Sequence, residues 1–101
     1  MTTTDRIIFD LDHARYLNAA KVPADTDYDT WRWTCQQAVD AVAWYLRTCR
    51  ASALEIRAIA GCRLYYLVRH IAMTADGTST DALIAAMKRY HGYVKRMKAG
   101  E

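Results

Sequence analysis

Histidine and cysteine are the residues best placed to do chemistry in this 101-residue chain, which holds three of each. Their spacing argues against it. His13, His70 and His91 fall on three different predicted helices, with no His-x3-His or Glu-x-x-His pair of the kind that builds zinc or di-iron sites, so no metal and no cofactor are expected. Cys35 and Cys49 lie on an apolar helical seam, and no histidine is sequence-linked to them as a base. Together with Cys62 they make an odd number without Cys-x-x-Cys spacing, which reads as small, reduced, mostly buried thiols in a reducing, cytoplasmic compartment. With no catalytic constellation in so short a chain, an enzyme is not expected.

Binding surfaces are better supported. Trp33 and Trp44 stand eleven residues apart, three helical turns, on one line that also carries Gln37, Asp40 and Arg47 and points away from the apolar seam of the same helix. Either a first helix or the Ile7-Ile8-Phe9 cluster covers the pair, or the two indoles are an exposed anchor for a protein partner or a homodimer. Two basic groups offer an alternative. Lys88, Arg89, Lys95 and Arg96 flank the apolar seam of the last predicted helix, which has no acid from Ala82 to Gly100. Arg63, Tyr66, Arg69 and His70 mix cations with rings on one outer face, a combination that can contact phosphates and stack on bases. The plain reading of such faces is solvated surface, with cations favourable near a helix C-terminus.

The hexapeptide Ile7-Ile8-Phe9-Asp10-Leu11-Asp12 resembles the first motif of haloacid-dehalogenase-type phosphotransferases, an apolar strand ending in Asp-x-Asp. The resemblance implies Asp10 as nucleophile and Asp12 as acid/base. It covers six residues; His13-Ala14 replaces the usual Gly-Thr, and the rest of the chain offers helices in place of a parallel sheet. Asp10 then reads as a helix N-cap, with Asp12 favourable near the positive helix end.

The elements that position these residues follow from periodicity. Residues 1–6 read as a frayed tail, and a short first helix is predicted from Asp10 to Lys21, stopped by Val22-Pro23. A second helix runs from Asp27 to Arg50, with Thr26 and Asp29 in capping-box spacing and a seam of Trp31, Cys35, Ala38, Val42, Tyr45 and Cys49. A third runs from Ala53 to Thr74, opened by Ser52 and Glu55. Its two seams, Leu54-Ala58-Gly61-Tyr65-Val68-Ala72 and Ile56-Ala60-Leu64-Leu67-Ile71, make it the expected central helix. A helix-turn-helix within Glu55–Met73, turning at Ala60-Gly61-Cys62, is the competing arrangement, but both seams pass Gly61 without a phase shift and a continuous helix is simpler. A fourth helix, capped by Thr78 and Asp81, carries Leu83, Met87, Tyr90, Val94 and Met97 to near Gly100.

The expected fold is all-α: one domain over residues 1–101, a small antiparallel helical bundle of three long helices plus a short N-terminal one. Composition agrees, at 52% apolar and 25% charged with only four glycines and one proline. No apolar run approaches the ~20 residues of a membrane span, and no signal peptide is visible. Net charge is +3 but unevenly spread. Residues 1–40 carry seven Asp against four Lys/Arg, and residues 41–101 carry ten Lys/Arg against four Asp/Glu. The function expected is non-catalytic protein binding, by a regulator or inhibitor such as a phage or mobile-element anti-defence protein. The alternative is a small basic nucleic-acid-binding protein.

Overall fold

The computed structural model describes residues 2–48 and 50–90. Over these the chain is all-α, with five helices and no strand: α1 (Thr3–Ala19), α2 (Tyr28–Arg47), α3 (Ala53–Ala60), α4 (Leu64–Thr74) and α5 (Thr80–Arg89).

The first helix is longer than its sequence suggests, because its cap lies upstream of the apolar pattern. The Thr2 hydroxyl accepts from the Asp5 N–H at 3.1 Å, and the Asp5 carboxylate accepts from the Thr2 N–H at 3.2 Å. This reciprocal box satisfies two otherwise orphaned donors. Residues 3–6 are therefore helical rather than frayed. Asp10 sits inside α1 instead of capping it, and Ile7–Asp12 is helix, not the strand of a phosphotransferase motif. α1 buries Ile7, Leu11, Ala14 and Asn18, one seam at helical spacing.

α2 is capped by Asp27, one residue after the expected Thr26. The Asp27 carboxylate accepts from the Thr30 N–H at 3.0 Å and from its hydroxyl at 2.6 Å. The predicted seam is buried as read: Trp31, Cys35, Ala38, Val42 and Tyr45 all lie in the core, while Cys49 is outside the described residues. Val39, Ala41, Ala43 and Leu46 are buried too. α2 thus shows solvent only a narrow strip, and packs on α1, α4 and α5.

The expected third helix is divided. Ser52 and Glu55 form their capping box, but α3 ends at Ala60 and α4 begins at Leu64, with Arg63 as its N-cap. The reason lies in Ile59, which is wholly buried yet belongs to neither seam. From the buried pair Ala58–Ile59 to the buried pair Leu67–Val68 is nine residues, about two and a half turns. An unbroken helix would point the two pairs to opposite sides. The interruption at Gly61-Cys62-Arg63 turns both to the core. α4 inherits the central place, packing on α1, α2 and α5, whereas α3 packs on α1. The break falls where the competing helix-turn-helix arrangement puts its turn, instead of leaving the helix continuous as expected; α1 lies along both pieces in turn, with Thr2–Thr4 beside α3 and Asn18 against the Tyr65 carbonyl.

Gly77 turns the chain into α5 with φ +118°, a backbone conformation only glycine adopts without strain. Ser79, not Thr78, caps α5, accepting from the Ala82 N–H at 3.2 Å. α5 buries Leu83, Ala86 and Met87 and runs to Arg89; the rest of the predicted fourth helix falls outside the described residues.

Candidate functional site

The solvent strip of α2 carries the line read from sequence. Trp33 and Trp44 are 52% and 42% exposed, so neither α1 nor Ile7-Ile8-Phe9 covers them. α1 spends its apolar seam elsewhere in the core, and Phe9 itself faces solvent. Asp40 is exposed and Gln37 half-buried, both between the indoles; Arg47 is exposed at the end of α2. The Asp40 Oδ1 accepts from the Gln36 amide at 2.8 Å, while the Arg50 guanidinium lies 5.2 Å from the centre of a Trp44 ring. Beside Trp44 opens a groove of about 280 Å3, walled by Gln37, Asp40, Ala41 and Trp44 on one side and by Thr78, Thr80 and Leu83 on the other. Two exposed indoles on a helix buried along its other sides form a rigid aromatic surface with a cleft at one end.

Arg47 also reaches toward α1. The Asp5 carboxyl is held below its ordinary value, chiefly by the Thr2 hydrogen bonds and in smaller part by the Arg47 charge.

The basic residues do not gather on one face. Arg69 is engaged in the fold: its Nη1 donates to the Lys21 carbonyl at 3.0 Å and to the Asn18 Oδ1 at 3.4 Å, and its guanidinium stands 5.3 Å from a Trp31 ring centre. Arg63 and Tyr66 are exposed and stacked, guanidinium to ring centre 5.0 Å. His70 is half-buried against Tyr90, with ring centres 5.4 Å apart; burial, then the Arg89 charge, push its pKa down. Lys88 reaches over the Tyr45 ring at 5.3 Å, and Arg89 Nη2 approaches the Thr74 carbonyl at 3.5 Å. Lys95 and Arg96 lie outside the described residues, as does His91.

Among the described residues no three His, Cys, Asp or Glu side chains converge as metal ligands would, and no helix is long and apolar enough to cross a membrane. Burial raises the Cys35 thiol to about 11. Burial, followed by its hydrogen bond to Glu55, raises the Tyr45 phenol to about 12. Both groups are the reverse of activated nucleophiles.

Two surfaces escaped the sequence reading. Phe9 and Tyr16 are about two-thirds exposed on the outer side of α1, with Asp12 and His13 between them. A groove of about 660 Å3 runs between α1 and the α3–α4 junction, with Arg6, Asp10, His13 and Arg63 above Ala14 and Leu64. The seven-residue spacing of Phe9 and Tyr16, opposite the Ile7–Leu11–Ala14 seam, was the available signal. No protein-family model, curated protein or solved structure matches this chain.

Proposed function

We propose that this protein is a non-catalytic protein-binding regulator or inhibitor that engages its partner through the α2 strip. A compact regulator of the kind phages and mobile elements encode against host defences is the class it suits. The observation that carries the reading is the exposure of Trp33 and Trp44 in register on one rigid helix. Tryptophan concentrates binding energy where an indole can leave water against a partner, and large exposed apolar groups in line are uncommon on a surface that serves no contact. The groove beside Trp44 supplies a pocket of the type such contacts use.

The test is an affinity comparison. Trp33→Ala plus Trp44→Ala should leave the melting temperature nearly unchanged and weaken partner binding by about tenfold or more, since truncating a buried aromatic anchor costs on the order of 2 kcal/mol. A strongly destabilised double variant, or a captured partner set identical to that of the unaltered protein, refutes the reading.

Nucleic-acid binding stands second, favoured by the exposed Arg63–Tyr66 stack beside the α3–α4 turn. The engagement of Arg69 with α1 weighs against it.

A further inference from the structure

We infer that the partner of the α2 strip is a second copy of this chain, paired antiparallel about a two-fold axis midway between Ala38 and Val39. This rests on the reading of the strip as a protein-binding face and makes that face the subunit interface of the regulator, so that its target meets the dimer elsewhere and the two tryptophans act on target capture through the dimer.

The spacing along α2 is regular. Thr30, Trp33, Gln37, Asp40, Trp44 and Arg47 follow one another by three, four, three, four and three residues. That is the spacing by which two helices meet side by side, here on the outer side of α2, with Trp33 and Trp44 as its apolar positions and polar residues at the other four.

The strip also suits a two-fold axis. A two-fold interface uses the same patch twice, so residue i must suit residue j and j must suit i. Counting outward from the midpoint, Gln37 and Asp40 come at equal distance, then Trp33 and Trp44, then Thr30 and Arg47. Antiparallel pairing therefore sets amide against carboxylate, indole against indole, and a guanidinium against the first turn of the other α2. No like charges along the seam face each other. Equal spacing about the midpoint holds for any seam that alternates three and four; the complementary residue types brought opposite each other are what suit this strip to its own copy.

The groups brought together are chemically complementary. The Asp40 Oδ1 is occupied by Gln36, which leaves Oδ2 to accept from the Gln37 amide of the second copy. Arg47 arrives beside Thr30, which is flanked by Asp27 and Asp29, acids at a helix N-terminus. The indole of Trp33 arrives at Trp44, where the groove walled by Asp40, Ala41, Thr78 and Leu83 is open to receive it. A strip one helix wide, about 26 Å long from Thr30 to Arg47, makes an interface at the small end of specific ones, so dissociation is to be looked for on dilution.

Sedimentation equilibrium of the full chain, from about 1 to 300 µM, should show a monomer–dimer equilibrium, with tryptophan emission shifting to the blue as concentration rises. Trp33→Ala and Trp44→Ala should each raise the dissociation constant at least tenfold. Gln37→Asp, which sets carboxylate against carboxylate twice, should weaken the dimer comparably. Gln37→Asp combined with Asp40→Gln exchanges the partners and should restore most of the loss; this rescue is the result that a nonspecific apolar contact would not give. A monomer at every concentration overturns the pairing, as does a dimer indifferent to both tryptophans or a charge exchange without rescue. A monomer whose tryptophans still govern capture of a different protein overturns the pairing alone; one whose tryptophans govern nothing overturns the protein-binding reading as well.

Discussion

Asn18 is fully buried, and its surroundings meet every polar atom of its side chain. Its Nδ2 donates to the Ala14 and Tyr65 carbonyls, both at 3.0 Å, Oδ1 accepts from Arg69, and its own carbonyl accepts from the Trp31 indole N–H at 2.7 Å. Removing the amide leaves the Tyr65 carbonyl and the Arg69 guanidinium short of partners, and an unmet buried polar group costs on the order of 1–3 kcal/mol. Asn18→Ala should lower unfolding stability by about that amount in urea denaturation. The His70 ring gives a second residue-level expectation. Its folded pKa lies below the unfolded 6.5, so between the two values the unfolded chain binds the extra proton. Stability is fully present above about pH 6.5 and is lost as pH falls through the depressed value. His70→Gln should flatten that slope in pH-dependent melts. Cys35, with its thiol at about 11, should resist alkylation at pH 8 in the native protein and react once it is unfolded, as peptide mapping would show.

At the scale of the element, Gly77 and Val68 make the sharpest cases. Nothing lies within 4 Å of a Cβ built on Gly77, so Gly77→Ala should be destabilising through its φ of +118° alone, by about 1–2 kcal/mol in thermal melts. Val68→Asp should abolish cooperative unfolding, because Val68 is fully buried on a helix packed against three others and a charge there must leave water. Leu64→Asp should be milder, since Leu64 is only partly buried at the start of α4. These elements were unequally legible. The α2 seam from Trp31 to Tyr45 and the Ser52–Glu55 box could be read directly, because burial and capping there follow local spacing. The strip of Trp33, Gln37, Asp40 and Trp44 was readable as a line for the same reason. Whether α1 covered it depended on where Ile7 and Leu11 are buried, a tertiary matter. The α3–α4 interruption was hidden because the apolar pattern stays in phase through Gly61, and only the burial of Ile59 breaks it. The start of α1 was missed for a simpler reason: Thr2 and Asp5 cap a turn that has no apolar residue to announce it.

At the scale of the whole molecule, no salt bridge among the described residues joins the acidic front to the basic back. Among the described residues the one ion pair is Arg15–Asp12, 2.9 Å within α1 itself. The halves meet through apolar burial and the Asn18–Arg69 contacts, so thermal stability should change little between low and moderate salt. The two functional readings separate on the same axis. Docking at the α2 strip should tolerate salt. Any binding of a nucleic-acid duplex or single strand through Arg63, Lys88 and Arg89 should appear at low salt, fall steeply with added salt, and vanish when the three become Gln. Absence of such binding at low salt in a filter or polarisation assay removes the nucleic-acid reading.

The position of α1 has a consequence for how the molecule is made. Its last turn is locked by Arg69, 51 residues later in the chain, whereas Trp31 reaches Asn18 across only 13. During synthesis the α1–α2 hairpin can therefore close early, with α1 still lacking the α4 surface on which it finally packs. Until α4 has left the ribosome, the nascent chain presents that side of α1 to whatever is nearby. That side stays uncovered until α4 arrives, and the Arg69 clamp marks its closure.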